Sequence, residues 1–214
     1  MKDLKMLTDS VIKGEERKTT ELVQRAIEEG LPPGKILTEG LIPGMKVVGE
    51  RMKNYEMYLP EVFLSARVMQ AGIDLLQSLN KDKADKIELL AKVVLGTVKG
   101  DLHDIGKNLV RMMLTGAGLE VIDLGIDVPP EKFVQVVKEE GPQVLGLSAL
   151  LTTTMSEMET TIEALAGAGI REKVKVIVGG APISLQYAQQ IGADGYAEDA
   201  ARAVDVVKDF VKPQ

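Results

Sequence analysis

The stretch TVKGDLHDIGKNL, residues 97–109, contains the only histidine of the chain, His103, with Asp101 two residues before it and Asp104 directly after it. An imidazole can act as a general base, a proton carrier or a metal ligand, and a nearby carboxylate fixes which ring nitrogen carries the proton. Gly100 and Gly106 bound the histidine on either side, which marks a turn. A lone histidine in a polar turn is also what an ordinary solvated loop contains. Its place in the fold therefore decides what it can do.

The bulk composition narrows the field. The chain has 214 residues, 45% of them apolar, and carries a net charge of −6. With a pI near 5.0, it lacks the Lys/Arg excess that a nucleic-acid backbone or an anionic membrane surface requires. Aromatic residues make up 3% and Trp is absent, so a base-stacking surface is not expected. There is no Cys, which removes disulfides, thiolate metal sites and a cysteine nucleophile, and fits a reducing cytosol. The opening MKDLKMLTDSVIKGEE is too charged for a signal peptide, and no apolar run approaches the ~20 residues of a membrane span. The expected location is cytoplasmic.

Two hydrophobic periods divide the chain. Up to about residue 80 the apolar spacing is helical: Leu4, Leu7, Val11 and Ile12 form one stripe that Gly14 ends, and Leu22, Val23, Ala26 and Ile27 form a second that runs to Gly30. A third helical region, LPPGKILTEGLIPGMKVVGERM, contains Pro43 and should break or kink there. A fourth, LPEVFLSARVMQAGIDLLQSL, has Pro60 in its first turn. These predict a four-helix bundle with one helix split, followed by a charged, flexible linker over NKDKADKIE, residues 80–88. Short Val/Ile/Leu runs then alternate with helical stretches: 91–98, 120–125, 143–150, 174–180 and a more polar fifth run in GADGYAED. Together they predict a doubly wound α/β domain with a five-stranded parallel sheet, closed by the helix AARAVDVVKDFV. The expected boundaries are 1–88 for the bundle and linker and 89–214 for the α/β domain. His103 then lies directly after the first strand, where open α/β sheets bind ligands.

Several common chemistries fail at this position. A G-x-G-x-x-G fingerprint is absent. The phosphate loop is only approximated, because five residues separate Gly100 from Gly106 and Asn108 follows Lys107 where a hydroxyl belongs. Ser148 lacks the flanking glycines of a nucleophile elbow, and one histidine without cysteine cannot build a zinc site. A single imidazole does suffice when a macrocycle brings the other ligands of its metal, with Asp101 as hydrogen-bond partner. Haem is one such macrocycle, but its pockets are usually apolar and aromatic. Here the expected strand-end residues are small and polar: Ser148, Thr152, Thr153 and Thr154 after the third strand, and Gly179 and Gly180 after the fourth. Paired glycines let a bulky ligand approach the backbone. These features suggest a slot for a polar tail beside a metal macrocycle.

The ordered set D-x-H-x-x-G (Asp101, His103, Gly106), S-x-L (Ser148, Leu150) and G-G (Gly179, Gly180) resembles the signature of cobalamin-binding domains. With the helical first half included, the whole chain is similar to the corrinoid proteins of methyltransferase systems and to the cobalamin-binding segment of methionine synthase. The resemblance implies that cobalamin, as methylcobalamin or a related corrinoid, binds base-off with His103 as the lower cobalt ligand. It makes Asp101 the hydrogen-bond partner of His103 and Thr154, six residues after Ser148, the hydroxyl that completes the relay. Gly100, Asp104, Ile105 and Gly106 would meet the cofactor around the histidine. Ser148, Leu150 and Thr152 would contact the displaced nucleotide tail, and Gly179, Gly180 and Ala181 would line its slot, with Gly195 and Tyr196 closing the far end.

By the same resemblance, cobalt(I) accepts a methyl group from a substrate-specific methyltransferase. It then passes the group to a second methyltransferase acting on tetrahydrofolate or a thiol, and a reductive activase keeps the cofactor competent. The chain would thus be the methyl-carrying subunit of a methyltransferase system rather than a complete enzyme. The helical bundle would shield the methyl face, with Leu59, Val62, Phe63, Leu64 and Met69 available for that role or for ordinary bundle core. An adenosylcobalamin-dependent mutase subunit usually lacks such a bundle. A cobalamin-sensing regulator would need a basic DNA-reading element, whereas residues 1–80 carry 11 Lys and Arg against 12 Asp and Glu. A non-catalytic cobalamin carrier remains an alternative at this level. Methanol, methylamines, betaines and aryl methyl ethers are all possible methyl donors.

Overall fold

The computed structural model describes residues 2–79 and 89–212; the linker expected at 80–88 lies outside them. The chain divides into two compact units, Met1–Leu89 with Thr115–Gly118, and Leu90–Leu114 with Leu119–Gln214.

The first unit is helical. Its elements are α1 (Lys2–Ile12), α2 (Glu16–Glu28), α3 (Pro33–Ile36), a π turn (Leu37–Leu41), α4 (Ile42–Lys53) and α5 (Leu59–Leu79). The two stripes read from the sequence are the buried faces: Leu7 and Val11 of α1 and Val23 of α2 have almost no exposed surface. Gly14, at φ +69°, turns the chain out of α1, a backbone angle that other residues adopt only under strain.

At Pro43 the outcome differs from a simple break. The backbone from Pro33 to Lys53 stays helical, and the irregularity is taken up one turn earlier, where the Ile42 N–H reaches Leu37 O across five residues. A widened turn of this kind accommodates a proline that has no N–H to offer and whose ring crowds the preceding turn. Gly40 and Gly44 lie against α1, and a β-carbon at Gly44 would stand 2.7 Å from Val11 Cβ. Thr8 Oγ1 of α1 donates to Gly40 O at 2.8 Å, so the close approach also satisfies a carbonyl beside the irregular turn. Of the five side chains considered for shielding, Val62 and Met69 are buried in this unit, whereas Leu59 and Leu64 leave much of their surface exposed.

The second unit alternates strand and helix: β1 (Lys92–Thr97), α6 (Ile105–Gly116), β2 (Glu120–Asp123), α7 (Pro130–Glu140), β3 (Val144–Ser148) and α8 (Ser156–Gly167). It continues through β4 (Lys175–Gly179), α9 (Leu185–Gln190), β5 (Gly195–Ala197) and α10 (Ala200–Val211). All strand pairs are parallel, in the order β2-β1-β3-β4-β5. The strands are apolar because helices cover both faces of such a sheet, and β1 is buried from Val93 to Thr97. The strand order reverses between β1 and β3, which opens the ligand crevice beyond their carboxyl ends. Register aligns those ends in one row, Thr97 beside Ser148, Ser148 beside Gly179 and Gly179 beside Ala197.

Phe133 of α7 is fully buried against β1, and a β-carbon on Gly96 would come within 2.6 Å of its ring. Replacing Phe133 by Ala leaves a cavity beside the strand that leads to His103. The expected cost is about 3–5 kcal/mol of unfolding free energy, measured by denaturant titration of the full chain.

Candidate functional site

The site is assembled where β1 and β3 leave the sheet. After Thr97 the chain turns at Gly100, φ +78°, and the Asp101 N–H donates back to Val98 O at 3.1 Å. Thr97 Oγ1 donates to His103 O at 2.9 Å, which draws the loop over the end of its own strand. Asp104 stands just before α6, where its charge suits the positive end of the helix, and its carboxylate accepts from Asn108 Nδ2 at 2.9 Å.

The Asp101 side chain is wholly buried, and five donors converge on it. Oδ1 accepts from the His103 N–H at 3.0 Å and from His103 Nδ1 at 2.8 Å. Oδ2 accepts from Thr154 Oγ1 at 2.7 Å and from the N–H groups of Leu150 and Leu151 at 2.7 and 3.1 Å. Burial alone would raise the pKa of this carboxyl. The bonds from the His103 amide, Thr154, the Leu150 amide and the imidazole outweigh burial and hold it far below the usual carboxylate range.

A charged carboxylate can only accept, so His103 Nδ1 is the donor to Asp101, and in the neutral ring the lone pair is then on Nε2. The His103 side chain is 49% exposed, in contrast to the buried acid beneath it. The pair therefore presents one oriented imidazole nitrogen outward from a fixed base. Among the described residues, no group of three or more His, Cys, Asp or Glu side chains could hold a metal ion. A metal held at Nε2 would bring its remaining ligands with it.

The third motif segment is shaped by backbone contact. A β-carbon at Gly179 would lie 2.9 Å from Ala197 O, and one at Gly180, where φ is +136°, would overlap Ala149 O. The Ala149 N–H donates to Gly179 O at 3.3 Å across the same gap. Both glycines thus let backbone pack directly on backbone at this end of the sheet, and Ala181 follows them at the surface. Gly106 has nothing within 4 Å of its β-carbon position, so the protein itself leaves that space open.

The remaining expected residues are distributed unevenly. Thr152 is exposed and Ser148 half-buried near the relay, whereas Gly195 and Tyr196 lie within the outer strand β5, before its carboxyl end at Ala197. The absent side chain of Gly195 makes room for Val206 and Phe210 of α10.

The surroundings are less polar than expected. Leu102 and Ile105 beside His103 are 66% and 73% exposed, and Ile126, Leu150 and Leu151 also show large apolar surfaces. Ile105 and Leu150 were among the expected contacts, whereas attention to hydroxyls and glycines at strand ends missed Leu102, Ile126 and Leu151, which fall in the loops just beyond. An apolar rim around one free imidazole nitrogen, beside a glycine-walled crevice, fits a large metal macrocycle with a polar tail.

Three supporting groups also escaped the sequence reading. Lys107, 4% exposed, places Nζ 2.6 Å from both oxygens of Asp123, so the lysine of the apparent phosphate loop is committed to an internal ion pair. The signal for it was a charged residue closing the apolar strand EVID. The amides of Leu150 and Leu151 are donors that no side-chain motif could disclose. Asp127, at φ +52°, accepts from the Gly100 N–H at 2.7 Å.

Two outcomes follow from the buried carboxylate. Since the folded pKa of Asp101 lies below the unfolded value of about 4, its contribution to stability is present above that pH and is lost as pH falls below it. Denaturation of the wild type and Asp101→Asn from neutral to acid pH should show the stability difference shrinking only below about pH 4. Thr154→Ala should cost about 1.5–3 kcal/mol for a lost bond to a charged group, with Thr154→Ser near wild type.

With this geometry established, similarity to known proteins becomes informative. Residues 91–205 match the B12 binding domain, and residues 4–77 match a second family model of the same description. A corrinoid protein of Desulfitobacterium hafniense is 44% identical over 201 residues, covering 94% of this chain and 93% of its own. The trimethylamine corrinoid protein 2 of Methanosarcina acetivorans is 41% identical over 204 residues, covering 95% and 94%. Among solved structures, the methanol:cobalamin methyltransferase complex of Methanosarcina barkeri superposes with a TM-score of 0.89 at 32% identity, over 98% of this chain and 80% of the other. A cobalamin-binding protein of D. hafniense gives 0.78 at 35% identity, over 98% of each chain. No helix among the described residues is long and apolar enough to cross a membrane. The chain belongs to the family of B12-binding corrinoid proteins.

Proposed function

We propose that this protein is a methyl carrier that holds cobalamin base-off, with His103 Nε2 as the lower ligand of cobalt. The observation that carries the reading is the buried Asp101 carboxylate, which fixes Nδ1 of His103 as a donor and leaves Nε2 facing out. When bound, the cofactor supplies a cobalt centre that takes up a methyl group from one partner and yields it to another.

The residues of this chain orient the ligand and manage one proton. Asp101 and Thr154 form the relay behind the ring, and the proton on Nδ1 is shared with Asp101 Oδ1. A proton arriving at this pair weakens the hold of the ring on a metal, and its departure strengthens it. Gly100, Asp104, Ile105 and Gly106 frame the imidazole. Ser148, Leu150, Thr152 and the Gly179–Gly180–Ala181 turn take the displaced nucleotide tail, with Gly195 and Tyr196 as its outer limit.

The partners are a substrate-specific methyltransferase and a second methyltransferase that passes the group to tetrahydrofolate or a thiol, with a reductive activase and a cytoplasmic location. Relatives named for trimethylamine and dimethylamine, and the methanol:cobalamin complex, support a small methylated compound as donor. The test begins with purified protein and hydroxocobalamin, whose spectrum should become base-off; an unchanged free-cofactor spectrum rejects the reading. His103→Ala should retain corrinoid through the tail crevice yet lose the axial-nitrogen signal, and a retained signal removes His103 from its role. A methyl-transfer assay across methylated amines, methanol, betaines and aryl methyl ethers then identifies the donor.

A further inference from the structure

The loop after β2 is laced to the loop that carries His103. The Thr97 N–H donates to Gly125 O and the Val128 N–H to Thr97 O, both at 3.0 Å, and Val98 and Val128 form a parallel bridge. The lacing continues one step further through Asp127, whose Oδ1 accepts from the Gly100 N–H at 2.7 Å while its own N–H donates to Asp101 O at 3.0 Å. One residue thus grips both sides of the Gly100–Asp101 peptide. To do so it adopts φ +52°, a left-handed conformation that only a few residue types besides glycine take up, Asp and Asn among them. Opposite it, Gly100 is also left-handed at φ +78°. Asp127 is exposed at the surface. Core packing does not account for such a conformation at an exposed position.

We propose that Asp127 is a positioning residue for the Asp101–His103 pair: its carboxylate clamps the Gly100 amide and so sets the aim of His103 Nε2. The inference rests on the reading of His103 as the cobalt ligand and assigns Asp127 a part in it. The carboxylate is needed for its acceptor oxygen and the residue type for its backbone angle, two requirements that substitution separates. Asp127→Asn keeps an acceptor and tolerates the left-handed angle. Asp127→Gly keeps the angle and removes the acceptor. Asp127→Ala compromises both.

The experiment uses the full chain loaded with cobalamin and reduced to cobalt(II), where an axial nitrogen splits the electron paramagnetic resonance lines. The ratio of His-on to His-off cofactor should stay near wild type in Asp127→Asn. It should fall about tenfold or more in Asp127→Gly and Asp127→Ala, while corrinoid remains bound. In cofactor-free protein, the Gly100 amide should exchange with solvent faster in Asp127→Gly than in wild type, at equal global stability. If Asp127→Ala does not fold, Asp127→Gly carries the test alone. A wild type with the splitting and an Asp127→Gly that matches it in both measurements would overturn the positioning role. A wild type without the splitting sinks the ligand reading itself, a distinct outcome that removes the positioning role with it.

Discussion

A carboxylate without solvent contact is costly by several kcal/mol unless hydrogen bonds replace the water it has lost. Asp101 meets that condition with five donors, two from His103 and three from the loop that follows β3. Most of the local structure follows from keeping those donors in place. The loops after β1 and β3 must both bend toward one point, so the two strands must be neighbours. The charge must persist, because a protonated Asp101 would no longer accept from every donor and would release the orientation of the ring. The same interaction that closes the core at this edge also fixes the outward face of the only histidine.

The sheet order meets this demand directly. With β1 beside β3 and β3 beside β4, the carboxyl ends bring Thr97, Ser148 and Gly179 into a row. The glycine turn after β4 then packs directly on the backbone of Ala149, next to the loop that supplies donors to Asp101. On the other side of β1, the β2 loop fastens the histidine loop through Gly125, Asp127 and Val128. Lys107 and Asp123 pin the first turn of α6 to the end of β2 with a nearly buried ion pair. The histidine loop is thereby held from both neighbouring strands and from the helix that it enters.

Much of this was legible in the sequence because it depends on residue type and period. The switch from helical spacing to short apolar runs marked the change from bundle to α/β, and all five strands lie within the runs read from composition. Asp101, His103 and Thr154 could be linked because the resemblance to cobalamin-binding domains implies a relay of this kind, with a hydroxyl six residues after Ser148. What stayed hidden depends on backbone. The Leu150 and Leu151 amides carry no side-chain signature, and the π turn before Pro43 records how a helix absorbs a proline rather than whether one is present. Asp127 is one acidic residue among many until its φ is known. The exposed Leu102 was visible as a letter, but only the fold shows that it faces solvent beside the histidine rather than a core.

The central claim is that the single histidine of this chain ligates cobalt while Asp101 holds its other nitrogen. Because there is only one histidine, labelling it with 15N tests the claim without any substitution. The cobalt(II) form of the loaded protein should show each resonance line split into a triplet by an axial 14N, and into a doublet when the protein carries 15N-histidine. A splitting that remains a triplet in the labelled protein would mean that the nitrogen belongs to the base of the cofactor. That result would contradict the account.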